Sequence, residues 1–212
     1  MSGKTPIVDS SDMNRGRTLE GKRIRLRPSE VRDIPLLFKW YSDPMLMSLY
    51  DGIPFPVENL KVFEANYRRW LETNAEAGQA GSLILELLAD GRAIGECSYM
   101  LVERTGPISP NIYQVGGLVG PKELRGHGYG TEALQLLRDY LFRDRNAHRL
   151  EAMTSAFNGG AMKTLHRNGF VREGVLREAV LINDVWQDRV LFSLLRSEWE
   201  IGAPPQKEFP HD

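Results

Sequence analysis

Leu118-Val119-Gly120-Pro121-Lys122-Glu123-Leu124-Arg125-Gly126-His127-Gly128-Tyr129-Gly130-Thr131-Glu132-Ala133 runs from a strand-like stretch through a glycine loop into a helix. The first four amides of a helix lack internal partners, and the helix dipole makes that end positive. Gly126, Gly128 and Gly130 let such amides converge with no Cβ in the way. A concavity of this kind suits a phosphate or diphosphate; a plain glycine-rich connecting turn is the other reading. Other phosphate loops fit poorly. A dinucleotide fingerprint needs glycine where Thr131 stands, and a Walker loop needs a G-K-[ST] ending. There is no G-x-S-x-G elbow and no H-E-x-x-H pair.

Working outward, the pattern alternates strands with helices. Arg23 to Arg27 alternates as a half-buried strand. Ser29 can cap a helix over 31–41, which Asp43-Pro44 ends. A second helix spans 57–73, with Leu60, Phe63, Tyr67, Trp70 and Leu71 on one face. Strands follow at 82–88 and 93–102, joined by Asp90-Gly91, and another at 112–119 after a loop with Gly106, Pro107 and Pro110. Beyond the glycine loop come a helix at 129–143, a strand at 149–155, a helix at 158–167 closed by Asn168-Gly169, and strands at 174–182 and 186–195 about Asn183-Asp184. This order implies a mixed α/β sheet, not a doubly wound parallel one.

The bulk properties bound the function. With 212 residues and 42% hydrophobic content the chain can build one core. The expected division is a tail at 1–17, one domain at 18–201 and a tail at 202–212. A net charge of −1 supplies no basic excess for gripping nucleic acid. A single cysteine, Cys97, excludes an internal disulfide and a cysteine zinc cluster, so no metal site is expected. No apolar run reaches the length of a membrane span and no signal pattern opens the chain. The expected setting is reducing and cytoplasmic, away from membranes.

Arg125-x-x-Gly128-x-Gly130 resembles the acetyl-CoA signature of the GNAT acyltransferase superfamily. Asn158-x-x-Ala161, Asn168-Gly169-Phe170 and Arg177 resemble the second half of that fold. Leu26-Arg27-Pro28, Trp40-x-x-Asp43-Pro44, Asn183-Asp184-Val185-Trp186 and Leu194 to Trp199 are similar to its RimJ/RimL branch. The resemblance spans about residues 20–200. It implies a mostly antiparallel mixed sheet that splays at a V-shaped gap between strands 112–119 and 149–155, flanked by helices, with a bulge in the first strand. It implies acetyl-CoA, or another acyl-CoA, with its diphosphate on Arg125, Gly126, His127, Gly128, Tyr129, Gly130 and Thr131. The pantetheine arm would hydrogen-bond Leu118 and Val119 backbone and meet Asn158. Lys163 and Arg167 would approach the nucleotide end, although basic residues there also read as a solvated face. A backbone amide in the gap would polarise the thioester carbonyl. Dimers are common in the branch, so a homodimer is compatible.

The family's catalytic residues do not carry over cleanly. Its glutamate position falls on Val115, its tyrosine position on Leu165, and the RimL-like serine on Ala161. If strands 93–102 and 112–119 pair about their loop, Tyr99 faces Val115, and Cys97, Tyr99 and Tyr113 share its face. A one-residue slip or a bulge presents Glu96 instead. The candidates for acid–base work are therefore Tyr99, Tyr113 and Glu96, with core packing as the other reading of the tyrosines. Without a base, a lysine-like amine costs about 4.6 kcal/mol to deprotonate at neutral pH and an α-amine about 1 kcal/mol. That favours an acceptor of low pKa: a protein N-terminus, an amino acid or an amino sugar. Asp51, in the connection 50–56 that walls the acceptor site by resemblance, could bind an ammonium or simply form a turn. A CoA-binding sensor or scaffold and a transferase of longer acyl groups are the competing readings.

Overall fold

Alternation builds one flank of the sheet. In strand β2 (Ile24–Pro28), Ile24 and Leu26 are buried on one face while Arg25 and Arg27 turn to the other. This computed structural model describes residues 17–50, 59–77, 79–102, 111–182 and 184–202. Most of both expected tails, the connection 51–58 with Asp51, and the loop 103–110 lie outside the described residues.

The other strands are β1 (Leu19–Glu20), β3 (Ala80–Leu87), β4 (Ala93–Leu101), β5 (Ile112–Val119), β6 (Arg149–Ser155), β7 (Val171–Ile182) and β8 (Val185–Leu195). They form one open eight-stranded sheet in the order β1-β2-β3-β4-β5-β6-β8-β7. Every pairing is antiparallel except β5 with β6. The helices are α1 (Ile34–Tyr41), α2 (Pro44–Tyr50), α3 (Leu60–Ala77), α4 (Tyr129–Arg143), α5 (Gly159–Arg167) and α6 (Arg196–Ile201). None is long and apolar enough to cross a membrane among the described residues.

Both faces of the sheet are covered. On one, Ala133, Leu134, Leu137, Leu141 and Phe142 of α4 pack against Leu26, Leu85, Cys97, Tyr99, Tyr113 and Val115. On the other, Leu37 and Trp40 of α1 and Leu46 and Met47 of α2 enclose Ile84 and Leu118, with Phe63 and Tyr67 of α3 alongside.

Local departures from expectation have local causes. Asp43-Pro44 does more than end α1. The Asp43 carboxylate accepts from the amides of Met45 (2.9 Å) and Leu46 (3.2 Å), and Pro44 opens α2. Ser29 does not cap the first helix. A 3₁₀ turn at Val31–Asp33 precedes α1, and the amide of Glu30 donates to Asp33 at 2.8 Å. Leu60 is exposed, so Phe63 and Tyr67 carry the inner face of α3. β3 starts at Ala80, β7 at Val171, and α6 follows β8 directly.

One buried ion pair fixes α1 on the sheet. Arg27 Nη1 and Nη2 each lie 2.7 Å from an oxygen of Asp33, and its Nε lies 2.6 Å from Glu86. Burial opposes ionisation of Asp33, but the Arg27 fork and the Glu30 amide outweigh it and hold its carboxyl below the usual value. A depressed carboxylate pKa contributes stability above the unfolded value, about 3.9, that is lost as pH falls through the folded value. Asp33→Ala leaves the Arg27 charge short of a partner and should cost about 3 kcal/mol in urea unfolding at neutral pH. The gap between wild type and variant should close on acidification. A constant gap across pH would contradict the assignment.

Candidate active site

β5 and β6 pair only at Ile112↔Arg149, Tyr113↔Leu150 and Gln114↔Glu151, then part. Along β4, by contrast, β5 stays in register from Tyr113 to Val119 with no shift. The expected bulge in this strand is absent; the gap opens where the β5–β6 pairing ends. Tyr99 pairs with Val115, the register that the sequence implied.

An antiparallel ladder turns alternate residues' N–H and C=O toward each neighbour. The amide of Gly120 donates to Ile94 and the carbonyl of Ile112 accepts from Val102, so even-numbered residues of β5 face β4. Beyond the last β5–β6 pair, Gly117 and the amide of Val119 therefore turn toward the gap, while the Val119 carbonyl accepts from Arg125. Leu118 does not face the gap: its backbone serves β4 and its side chain is buried beneath α1 and α2. Gly117 is exposed although it lies in the middle of the sheet.

The glycine loop closes one end of the gap. Gly126 and Gly128 have φ of 77° and 84°, a region that disfavours a Cβ. Gly128 is the residue before α4, and the first amide to reach an i−4 carbonyl is that of Glu132. The amides of Tyr129, Gly130 and Thr131 thus precede the helical ladder. A Cβ on Gly126 would meet no atom within 4 Å, which leaves room above the loop.

Two devices hold the loop. Arg125 donates Nε to Val119 O (3.0 Å) and Nη2 to Gly120 O (2.5 Å), tying the loop back to β5. Glu132 accepts from the amides of Lys22 (2.7 Å) and Arg23 (2.8 Å) and from Arg23 Nε (2.9 Å), while Arg23 Nη1 donates to His127 O (2.9 Å). Arg23 also lies 4.7 Å from the centroid of Tyr129. His127 is exposed, with Nδ1 2.9 Å from Arg125 O. Thr131 Oγ1 is 3.5 Å from Thr164 Oγ1. Lys163 is exposed on α5. Asn158 caps α5, accepting from the Ala161 amide at 3.0 Å, and donates to Leu49 O at 2.6 Å. Both ends of that side chain are engaged within the protein.

The three acid–base candidates are not together. Tyr99 and Tyr113 point into the core under α4, 5.9 Å apart edge to face, with Tyr140 6.1 Å from Tyr99. The Tyr99 ring covers Gly81, where an added Cβ would come within 2.5 Å of it. Burial and Tyr140 raise the Tyr99 hydroxyl above its usual pKa. Cys97 shares this face, its thiol pushed up to about 12 by burial and by Glu96, far from a thiolate nucleophile.

Glu96 takes the opposite face with no slip in register. It is paired with Leu118, is 3% exposed, and accepts hydrogen bonds from Ser82 and Tyr41. Tyr67 Oη lies 2.8 Å from Ser82 Oγ and 3.0 Å from Ser29 Oγ. α1, α3, β3 and β4 thus contribute to one hydroxyl chain that ends on a buried carboxyl. Burial raises the Glu96 pKa, and the bonds from Ser82 and Tyr41 only partly offset it. Sequence reasoning passed over Tyr41, Tyr67 and Ser82. The available signal was Glu96 itself, a lone charge inside the apolar strand Ala93–Leu101. A separate open groove of about 790 Å³, lined by Arg138, His166 and Trp199 among others, lies beside the C-terminal half of α4, away from the loop.

The site thus joins three features: strands that stop pairing inside the sheet, helix-start amides outside the helical ladder, and a buried carboxyl on the neighbouring strand β4. The acetyltransferase (GNAT) domain family matches residues 23–171, and the chain belongs to that family; it is an N-acetyltransferase by class. YjcK of Bacillus subtilis (strain 168), a probable N-acetyltransferase, is 30% identical over 188 residues, covering 86% of this chain and 99% of its own length. The [ribosomal protein uS5]-alanine N-acetyltransferase of Escherichia coli (strain K12) is 33% identical over 88 residues, 42% of this chain and 45% of that protein. Among solved structures, Mycobacterium smegmatis RimJ in complex with CoA-disulfide shares the fold with a TM-score of 0.69 at 23% identity, covering 86% of both chains.

The raised pKa of Glu96 has a stability signature. The folded state holds this proton more tightly than the unfolded chain, so the contribution is complete below the unfolded value, about 4.3, and is lost as pH rises through the folded value. Glu96→Gln removes the ionisation. In thermal melts the variant should gain on wild type as pH rises from about 4.3 toward neutrality. Parallel melting profiles would show that burial does not dominate this carboxyl.

Proposed function

We propose that the protein transfers an acetyl group from acetyl-CoA directly to a primary amine, in the manner of the RimJ/RimL branch. The single observation that carries this is the parting of β5 and β6 between the glycine loop and Glu96. The residues present fit the coenzyme. The amides after Gly128 and the open space over Gly126 suit its diphosphate, and the free edge of β5 suits its amide-bearing arm. Arg125 serves by holding the loop, and Asn158 by holding the start of α5. The coenzyme supplies an activated acetyl thioester.

The chain's own groups do the rest. The gap-facing amides of Gly117 and Val119 are donors for an acyl oxygen, preorganised by the β4–β5 ladder. Glu96 is the base. Being buried, it takes the amine proton through the hydroxyl of Tyr41, a partly buried residue bonded to it. A carboxylate whose pKa is raised is a better general base than an ordinary one, provided that it is ionised. Tyr99 and Tyr113 act in packing and not in proton transfer. The favoured acceptor is an amine of low pKa, first a protein N-terminus, because an α-amine needs only about 1 kcal/mol for deprotonation. The name of the partly matching Escherichia coli relative agrees with that choice.

Steady-state kinetics with acetyl-CoA and N-terminal peptides test this. Glu96→Gln and Tyr41→Phe should each lower kcat by about 10²–10⁴-fold and erase the acid limb of the pH–rate profile. Tyr99→Phe should leave kcat within a few-fold. No thioester consumption across a panel of peptides and small amines would overturn the assignment.

A further inference from the structure

The parted ends of β5 and β6 are gripped from the same side of the sheet. Gly120 follows β5 directly and is buried; its amide donates to Ile94 O at 2.9 Å and its carbonyl accepts from Arg125 Nη2 at 2.5 Å. A Cβ added at Gly120 would overlap Nε1, Cδ1 and Cε2 of Trp40, so the indole of α1 rests on bare backbone at the root of the glycine loop. Trp40 is 5% exposed and packs with Leu46, Met47 and Leu118. On the other wall, Asn158 lies just past the end of β6. Its Nδ2 donates to Leu49 O of α2 at 2.6 Å, while its Oδ1 accepts from the Ala161 amide. α2 also touches β6. Both grips lie beyond Gln114↔Glu151, where the strands have separated. α1 and α2 thus cross the opening on the face that carries Glu96, with one anchor on each wall. Tyr41, which bonds Glu96, is the residue after Trp40.

We propose that α1 and α2 form a brace across the parted strands and that Trp40 and Asn158 are positioning residues for acetyl transfer; this rests on the coenzyme reading given above. The brace sets the distance between the coenzyme's seat along β5 and the Tyr41–Glu96 pair. Both residues act through others: Trp40 through the loop root and Tyr41, Asn158 through α2. A close-packed interior transmits small displacements, and misplacing reacting groups by about 1 Å can cost about 10²-fold in rate. Glycine at 120 belongs to the brace, because a side chain there would push the indole, and α1 with it, away from the loop. The Asn158 amide secures the far end, where a carbonyl in the last turn of α2 has no helical partner of its own.

Paired substitutions test the anchor on the loop side. Gly120→Ala should lower kcat by about tenfold or more while calorimetric affinity for CoA stays within about threefold, because the helix gives way and the ladder-bound strand does not. Adding Trp40→Leu to Gly120→Ala should recover most of that loss, since the smaller side chain makes room for the methyl. Asn158→Asp keeps an oxygen for the Ala161 amide and removes the donor to Leu49. In hydrogen exchange on the free protein it should speed the Met47 to Leu49 amides and leave α5 protected, a reading that needs no turnover and does not depend on Gly120→Ala folding. A double variant no more active than Gly120→Ala overturns the inference. So does CoA affinity that falls as far as kcat, which would make Trp40 a prop of the loop alone, and so does unchanged exchange in α2 of Asn158→Asp. Wild type that binds CoA but acetylates no amine overturns the proposed function and leaves the exchange test to decide the brace. Wild type that binds no CoA overturns the coenzyme reading, and this inference with it.

Discussion

Everything in this molecule depends on two strands that stop pairing. After Gln114↔Glu151, β5 and β6 separate inside a sheet that is otherwise continuous. Unpaired backbone groups in a protein interior are unfavourable unless something completes them. The fold keeps the opening by tying down both sides of it. β5 is held along its length by β4, and β6 along its length by β8. Arg125 latches the carbonyls where β5 ends, and Asn158 caps the helix that follows β6.

The two faces of the sheet divide the labour. Under α4 lies an apolar core in which Tyr99, Tyr113 and Cys97 are packing residues. Under α1 to α3 lies a smaller cluster into which polar groups are set: Glu96, Ser82, Tyr41 and Tyr67. The Arg27–Asp33 fork places α1, and so places Tyr41 over Glu96. A structural ion pair at one end of α1 thus fixes the position of the hydroxyl that bonds Glu96 at the other.

The loop, the helix after it and strands 112–119 and 149–155 were legible in the sequence because glycine spacing and apolar periodicity are local signals. The Tyr99↔Val115 register was also legible, since the loop length set it. Which face meets the gap was not. Helices cover both sides of this sheet, so both alternating sets along β4 and β5 are largely apolar, and alternation alone does not say which one approaches the opening. That ambiguity put Tyr99 and Tyr113 beside Glu96 as candidates. Asp43-Pro44 misled for another reason: an acidic cap followed by proline marks a helix start as well as a stop, and here it is both.

The most direct measurement is residue-resolved amide hydrogen exchange on β5, with and without CoA. The amides of Gly116 and Leu118, bonded to β4, should be protected in the free protein. Those of Gly117 and Val119 should exchange readily and slow sharply when CoA binds. Gly117 and Val119 amides already protected in the free protein, or unchanged on binding, would contradict the claim that the parted strands form the coenzyme's seat.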